Sequence, residues 1–264
     1  MRPLAEWRPS SIIGVFTDID DTLTTEGAIT ADALQALADL KAAGLHVVPI
    51  TGRPVGWSEP FVQSWPVHAI VAENGAVGLT HSSATGLRKL YQQDANTRSA
   101  NFARMQTVLS EIERNVPGAG RSQDSAGRET DIAIDHSEFT QLAPNAIEDV
   151  VRLMRSAGMT ATVSSIHING WFGEHSKLTG ARWIVQTLWG RDLDAEIDQW
   201  VYVGDSTNDQ VMFEHFPHSV GVANIRRFEA QLTHPPSYIT HGERGAGFSE
   251  LVQHLLHSQR SHNP

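Results

Sequence analysis

Short apolar runs that end in polar or acidic residues recur along the first part of the chain. SIIGVFTDID at 11–20, LHVVPITGR at 45–53 and HAIVAENGA at 68–76 share this pattern. Such runs are typical of buried parallel strands that present polar groups at their carboxyl ends. Between the first two runs, residues 30–43 carry apolar side chains at helical spacing. Alternating strands and helices predict a parallel sheet with right-handed crossovers.

The pattern changes between about Leu79 and Glu174. Helical spacing marks residues 102–112 and 147–154, whereas Thr130–Asp135 alternates and residues 160–172 resemble one or two strands. Half-buried alternation of this kind is typical of an open sheet with helices on one face. We therefore predict an inserted α+β segment here.

The first pattern then returns. Leu178–Trp189 has helical spacing, and Gln199–Asp209 is a fourth apolar run that ends in acids. Residues 218–224 and 237–242 predict a fifth and a sixth strand, and residues 248–256 predict a closing helix.

These elements predict an α/β fold with two parts. The first is a Rossmann-like parallel sheet core with helices on both faces, formed by residues 1–80 and 175–264; the second is an inserted α+β domain of residues 81–174. Open parallel sheets bind ligands outside the carboxyl ends of their strands. The polar ends of the apolar runs should therefore gather at one edge.

Composition and charge exclude several classes of function. The 264-residue chain has a formal net charge of -10, which argues against nucleic acid as its main partner. It has no cysteine, so thiolate nucleophiles are excluded. No apolar run approaches the roughly 18 residues of a membrane span, and residues 1–11 lack the apolar stretch of a signal peptide. We expect a cytoplasmic protein without a membrane partner.

The first acidic strand end reads Asp18-Ile19-Asp20-Asp21-Thr22. Side chains alternate faces along an extended segment, so Asp18 and Asp20 can reach the same pocket. Two carboxylates this close repel each other unless they share a proton or bind a cation, and Mg²⁺ fits that need. The alternative is an Asp-rich turn that caps the next element.

A second acidic strand end reads Gly204-Asp205-Ser206-Thr207-Asn208-Asp209. Asp205 and Asp209 have the spacing of a turn that begins a helix, and they could complete a metal site. The alternative is an ordinary strand–helix loop with an N-cap.

Two further segments carry groups that suit phosphate oxygens. Thr51-Gly52-Arg53 follows another strand, and its hydroxyl and guanidinium can bind phosphate. Lys177, one of only three lysines, precedes the helix before the Asp205 strand and could hold a phosphoryl group as a point charge. Taken alone, Thr51-Gly52-Arg53 is more often an ordinary polar loop, and a lysine near a helix start is more often simply solvated.

The order of these segments, their placement at strand ends and their residue types together resemble the haloacid dehalogenase superfamily of phosphatases. In that pattern DxDxT is motif I, a Thr or Ser after the second strand is motif II, a Lys is motif III and GDxxND is motif IV. Asn74-Gly75-Ala76 also looks like the loop that often follows the third strand. The matching residues here are Asp18, Asp20, Thr22, Thr51, Lys177, Asp205 and Asp209.

The position of the insertion resembles one subclass. About thirty residues separate Asp20 from Thr51, which leaves no room for a domain there, whereas about 125 residues separate Thr51 from Lys177. That placement resembles the class IIB, or Cof-like, cap domains, in which sugar phosphatases are frequent. The stretch before Lys177 is loosely similar to the trehalose-, sucrose- and mannosylglycerate-type phosphatases. We call residues 81–174 the predicted cap.

The resemblance implies a covalent mechanism. Asp18 would attack phosphorus and form an aspartyl-phosphate, while Asp20 would protonate the leaving oxygen and then deprotonate the attacking water. Thr51, Gly52 and Lys177 would bind the phosphoryl oxygens. The substrate would be a small phosphate monoester, and a sugar phosphate is expected.

The resemblance also implies a magnesium site. Its ligands would be Asp18, the backbone carbonyl of Asp20 and Asp205, with Asp209 supporting the metal waters or Lys177. The cap would close over the site and read the leaving group.

Four residues are candidate contacts for the rest of the substrate: Arg53, Asn74, Arg128 and His167. Two other functions stay open from the sequence, a phosphosugar mutase and a non-catalytic receiver-like phospho-acceptor. The oligomeric state is not predicted.

Overall fold

The computed structural model describes residues 1–262. No helix among them combines the length and the apolar character that a membrane span requires. The seven helices assigned in this range are α1 (Ala31–Ala42), α2 (Val55–Ser64), α3 (Ala95–Asn115), α4 (Pro144–Ser156), α5 (Lys177–Trp189), α6 (Gln210–His215) and α7 (Arg244–His262). The strands are β1 (Arg2–Pro3), β2 (Gly14–Thr17), β3 (Thr24–Thr25), β4 (Ala28–Ile29), β5 (His46–Pro49), β6 (Ile70–Ala72), β7 (Val77–Ser82), β8 (Gly86–Tyr91), β9 (Ile132–Asp135), β10 (Thr160–Val163), β11 (His167–Trp171), β12 (Trp200–Gly204), β13 (His218–Gly221) and β14 (Tyr238–Ile239).

A six-stranded parallel sheet forms the centre of the molecule. Its strand order is β1-β14-β13-β12-β2-β5, and every neighbouring pair runs parallel. The carboxyl ends of β2, β5 and β12 therefore lie at one edge, as the sequence predicts. The predicted fold class, a parallel α/β core with an added α+β part, is confirmed.

Helices cover both faces of this sheet because its strands are apolar on both sides. In β2, Val15 faces a cluster that includes Leu37 of α1 and Leu251 of α7. The next residue, Phe16, faces the opposite cluster, which includes Ile184 of α5. Alternation along a strand sends neighbouring side chains to opposite faces, so a continuous apolar run produces two cores.

The third predicted strand is shorter than its apolar run. β6 meets the edge of the parallel sheet through one bridge, between Ile50 and Val71, and then pairs antiparallel with β7. It ends at Ala72, because Glu73 and Asn74 adopt left-handed φ angles of 49° and 55° and turn the chain.

The inserted segment has its own sheet and its own core. β10, β11 and β9 form an antiparallel sheet in that order. A separate apolar cluster joins this sheet to α3 and α4, and it includes Met105, Ile134, Val150 and Trp171. The α+β character predicted for this segment is therefore present in the structure.

The hairpin of β7 and β8 crosses the predicted boundary between residues 80 and 81. Val77 and Leu79 belong to the core cluster that contains Val15, and Leu87 and Tyr91 pack against it. The hairpin thus continues the core side of the molecule. The division into residues 1–80 and 175–264 against 81–174 stays a prediction, and this packing favours a start of the cap after Tyr91.

Candidate active site

The pairing of β2 with β12 brings two acidic strand ends together. Asp18 follows β2 and Asp205 follows β12, and the backbone N–H of Asp18 donates to the carbonyl of Val203 at 2.8 Å. Asp209, one turn further on, completes a group of three buried carboxylates whose oxygens lie within 4.8 Å of one another. The parallel register therefore gathers the two acidic motifs in one place.

Lys177 is inserted between two of these carboxylates. Its Nζ lies 2.6 Å from Asp18 Oδ1 and 2.7 Å from Asp209 Oδ1, and its side chain is buried. Burial alone would lower the pKa of Lys177, but the two carboxylates raise it. Ser176 caps the start of α5 by accepting a hydrogen bond from the N–H of Thr179, which fixes where Lys177 begins the helix. Lys177 is not a solvated surface lysine.

Both oxygens of Asp209 are occupied by protein donors. Oδ1 accepts from Lys177 and from the hydroxyl of Tyr202. Oδ2 accepts from the backbone N–H groups of Asp205, at 2.9 Å, and Ser206, at 3.1 Å. This carboxylate therefore orders the loop after β12 and orients Lys177, which fits the supporting role that the resemblance implies.

Asp205 retains an unsatisfied oxygen. Its Oδ2 accepts from Asn224 at 3.0 Å, whereas its buried Oδ1 has no hydrogen-bond partner among the described residues. Burial and the neighbouring Asp18 and Asp209 carboxylates raise the pKa of Asp205 well above its ordinary value. Burial also raises the pKa of Asp18 to about 7, although Lys177 opposes that shift. Lys177 and the partly exposed Arg227, 3.6 Å from Asp205 Oδ2, leave Asp205 Oδ1 without a partner among the described residues, so this donor set fits a divalent cation.

Asp20 lies apart from this group. β2 ends at Thr17, so the strand alternation that predicted a shared pocket for Asp18 and Asp20 does not extend this far. The carboxylate of Asp20 instead meets Arg53, whose Nε lies 3.0 Å from both of its oxygens. Asp20 would therefore bind a metal only through its backbone carbonyl, and this contact stays a prediction.

The Thr51-Gly52 segment lies directly after β5 and is held from two sides. The carbonyl of Thr51 accepts from the N–H of Asn74 at 2.9 Å, which ties the second and third strand ends together. The carbonyl of Gly52 accepts from Arg128 at 3.0 Å and from Asn169 at 3.3 Å, both of which belong to the predicted cap. The structure thus places Thr51, Gly52 and Asn74 in one loop cluster beneath the cap.

Arg53 joins the core to the cap. Its Nη2 lies 2.7 Å from Glu138 Oε1, and its Nη1 lies 3.2 Å from Asp124 Oδ2. His167 approaches the same carboxylate, with Nε2 at 2.8 Å from Glu138 Oε2. The predicted residues Arg53 and His167 therefore share a network with Asp20, and Glu138 links them.

Arg128 is buried within the cap and engaged by protein groups. Its guanidinium pairs with Asp131 at 2.8 Å and with Asp124 at 3.2 Å, in addition to the Gly52 carbonyl. Burial raises the pKa of Asp131 to about 7 while Arg128 lowers it. Its predicted contact with the leaving group stays a prediction, and the geometry favours a link between the cap and the motif II loop.

Several residues of the site carry no signal in the sequence pattern. Glu138 and Asp124 are polar residues in irregular segments of the cap. Tyr202 lies inside an apolar strand run, where a core role is the simpler expectation. Asn224 alone had a usable signal, because it ends the run predicted as the fifth strand and the carboxyl ends of parallel strands share one edge.

A cleft of about 530 Å³ opens beside Asp20 between the core and the cap. A larger hollow of about 660 Å³ lies at the opposite, amino ends of β2 and β5, away from the carboxylates described above. The side chains that line the cleft beside Asp20 include those of Asp20, Asp21, Glu26, Arg53, Glu138 and Phe139.

Comparison with known proteins identifies the architecture. Residues 15–107 match the sequence model of the haloacid dehalogenase-like hydrolases. No curated protein matches the chain. Solved structures match nearly its whole length. A protein from Thermoplasma acidophilum is 16% identical, with 94% of this chain and 99% of that one covered at a TM-score of 0.70.

Two similar structures are named as phosphatases. The sucrose-phosphatase of Synechocystis, solved with sucrose and phosphate, is 16% identical, with 93% of this chain and 98% of that one covered at a TM-score of 0.65. A subclass IIB sugar phosphatase of the haloacid dehalogenase superfamily is 14% identical, with 91% and 98% covered at a TM-score of 0.62. The sequence model agrees with the resemblance found in the motifs over residues 15–107, and the shared fold extends through the predicted cap.

Proposed function

We propose that this chain is a haloacid dehalogenase-like hydrolase and a Mg²⁺-dependent phosphatase acting on a small phosphate monoester. One observation carries the proposal: buried Lys177 pairs with both Asp18 and Asp209, beside an Asp205 oxygen that no described residue satisfies. A nucleophilic carboxylate, a cation for phosphoryl oxygens and oxygen ligands for a metal thus meet in one site.

The residues have distinct parts in the proposed reaction. An oxygen of Asp18 attacks phosphorus, the bond to the ester oxygen breaks, and Asp20 gives that oxygen its proton. Asp20 then takes a proton from the water that attacks the aspartyl-phosphate, which releases phosphate and restores Asp18. Lys177 and the Thr51-Gly52 loop hold the phosphoryl oxygens during both steps.

Asp18, Asp205 and the backbone carbonyl of Asp20 would hold the Mg²⁺ ion, and Asp209 would support it through Lys177 and the loop. The bound ion would neutralise charge on the transferring phosphoryl group. The raised pKa values of Asp18 and Asp205 support this assignment, because buried carboxylates without a cation resist ionisation.

The residues that line the cleft between core and cap favour a substrate whose leaving group is uncharged. Asp20, Asp21, Glu26 and Glu138 place four carboxylates along it; Arg53 pairs with Asp20 and Glu138, and Arg227 and Arg244 pair with Asp21. Carboxylates accept hydrogen bonds from the hydroxyl groups of a sugar. A sugar monophosphate fits this surface better than a nucleotide or a bisphosphate, and the sugar phosphatases among the similar structures agree with that choice.

Three further assignments accompany the proposal. The segment after the β7–β8 hairpin up to about Glu174 acts as the cap, and the rest of the chain acts as the catalytic core. The partner is a small phosphorylated metabolite. The cytoplasmic location expected from the sequence stays a prediction.

A substrate screen tests the proposal. Purified protein with Mg²⁺ is incubated with a panel of sugar monophosphates, sugar bisphosphates, nucleotides and p-nitrophenyl phosphate, and phosphate release is measured. Asp18→Asn, purified in parallel, reports contaminating phosphatase. We expect neutral sugar monophosphates to give the highest kcat/KM and the variant to release almost nothing. No release from any ester, or equal release by the variant, would contradict the proposal.

A further inference from the structure

All three nitrogen atoms of the Arg53 guanidinium contact carboxylates. Nε contacts Asp20, Nη2 contacts Glu138 and Nη1 contacts Asp124. The first carboxylate follows a core strand, and the other two belong to the predicted cap. Arg53 is 6% exposed at its side chain, so these contacts are shielded from solvent. Charge-assisted hydrogen bonds from a rigid guanidinium fix both distance and orientation.

The cap presents Glu138 to Arg53 from a braced loop. Asp135 ends β9, and its carboxylate accepts from the N–H groups of Ser137 at 3.1 Å, Glu138 at 2.9 Å and Phe139 at 2.9 Å. His167, on the neighbouring strand β11, contacts the second oxygen of Glu138. Glu138 therefore has a position set by the cap sheet rather than by a free surface loop.

We infer that Glu138 is a positioning residue that acts through Arg53 on Asp20, so that the proposed acid–base carboxylate is oriented when the cap lies over the core. With Glu138 in place, the guanidinium is held at one end by the cap and at the other end by Asp20. Without it, Arg53 loses its 2.7 Å contact and is held on the cap side only by Asp124, at 3.2 Å, so Asp20 has a less firmly fixed partner. The inference rests on the proposed function of Asp20.

The test compares leaving groups. Glu138→Gln keeps the shape of the side chain and removes its charge. Asp20 matters most when the leaving oxygen needs a proton, as in a sugar phosphate, and least for p-nitrophenyl phosphate. We expect Glu138→Gln to lower kcat on the best sugar phosphate by about tenfold, within the range of coupling between neighbouring groups. The loss on p-nitrophenyl phosphate should be smaller, and KM should change little.

A double-mutant cycle identifies the route of the effect. If Glu138 acts through Asp20, adding Glu138→Gln to Asp20→Asn should cause no further loss of kcat. The Arg53→Lys variant keeps the charge but loses the planar fork, and it should show the same dependence on the leaving group. A direct contact between Glu138 and substrate would instead raise KM and persist in the Asp20→Asn background, and that result would overturn the inference.

Glu129→Gln is the matched control. Glu129 also belongs to the cap and pairs with Lys89 of the core hairpin at 2.9 Å, but it does not contact Arg53. Loss of this pair should leave the ratio of the two kcat values unchanged. An equal change in both variants would assign the effect to cap attachment in general and overturn the role of Glu138.

The outcomes separate this inference from the proposal beneath it. Wild-type protein that releases no phosphate would refute the proposed function. Active wild-type protein, together with unchanged leaving-group ratios in Glu138→Gln and Arg53→Lys, would refute only the inference. Thermal melting of each variant identifies loss of folding, and Arg53→Lys provides the answer where Glu138→Gln does not fold.

Discussion

The catalytic edge of the core and the contact between core and cap are both dense clusters of charge, but they are built differently. At the core edge, Asp18 and Asp205 come directly after strands β2 and β12, and Lys177 is the first residue of helix α5. At the cap contact, Arg53 meets residues from separate, partly irregular segments of the insertion, among them Glu138. The first cluster is set by the sheet; the second depends on how two packed units meet.

The two clusters also differ in how far neighbouring protein groups balance their buried charges. Arg53 and Arg128 have carboxylate partners in the structure, so the charges of the cap contact are largely paired, although Arg128 Nε has no hydrogen-bond partner among the described residues. At the core edge, one buried lysine lies among three buried carboxylates, and Asp205 Oδ1 has no partner among the described residues. An unbalanced buried cluster is typical of a site that binds a ligand, whereas a balanced one is typical of structure.

The largest effect should come from the core edge. Asp18→Asn removes the proposed nucleophile while keeping the shape of the side chain, so kcat should fall by at least about 10³-fold. The measurement is phosphate release with Mg²⁺, and circular dichroism checks that the variant is folded. A folded variant with near wild-type kcat would break the assignment of the core edge as the catalytic cluster.

Asp20 lies between the two clusters. The loss of kcat on its substitution should depend on the leaving group of the substrate. Asp20→Asn should lower kcat by about 10²–10⁴-fold on a sugar phosphate, the usual range for general acid–base catalysis. The loss on p-nitrophenyl phosphate should be smaller, because that leaving group needs no proton. Equal losses on both substrates would restrict Asp20 to a positioning role.

Substitutions at the contact between core and cap should lower the stability of the protein. Arg128→Met leaves Asp131 and Asp124 without their buried partner, which should lower the free energy of unfolding by about 3–5 kcal/mol. The control is Arg121→Met, which breaks an ion pair with Glu113 whose side chains are 48% and 31% exposed, and should cost less than about 1 kcal/mol.

Urea unfolding measures both arginine variants. Similar losses of stability would show that the buried and the exposed pair are equivalent. A normal stability of Arg128→Met, with a selective loss of kcat/KM on the metabolite, would instead restore its predicted role in substrate recognition.

The smallest effect concerns pH in the metal-free protein. Burial raises the pKa of Asp18 from an ordinary 3.8 to about 7, so the folded protein holds this proton more tightly than the unfolded chain. The contribution of Asp18 to stability should therefore be lost as pH rises from about 4 to 7. In EDTA, the difference between the thermal unfolding midpoints of wild type and Asp18→Asn should change across this range in favour of the variant at higher pH. Parallel curves for both would argue against a protonated Asp18.

The sequence predicts the core edge because the rule behind it is local. A parallel sheet aligns the carboxyl ends of its strands, so the positions after β2, β5 and β12 meet without any knowledge of the cap. Asp18, Thr51 and Asp205 are found by this rule, although the strand alternation used for Asp20 stops one residue before Asp18.

The cap contact could not be predicted in the same way. Glu138 is placed by three backbone N–H groups that bind Asp135 and by the docking of one sheet over another. The contacts to Asp135 are local, but the docking contacts join residues that are far apart in sequence, such as Arg53 and Glu138, and no periodicity marks them. Glu73 is a further example, since its buried carboxylate accepts from Val55 of the core and Thr130 of the cap.

The central claim is that Asp18 carries the phosphoryl group during turnover. Protein mixed with p-nitrophenyl phosphate and Mg²⁺ is quenched in acid during the steady state, digested, and analysed by mass spectrometry for a phosphorylated aspartate. We predict that the phosphoryl group is found on Asp18 in the wild type and is absent from Asp18→Asn and from protein treated with EDTA. Phosphate release without any phosphorylated Asp18, in a protein quenched during turnover, would contradict the account.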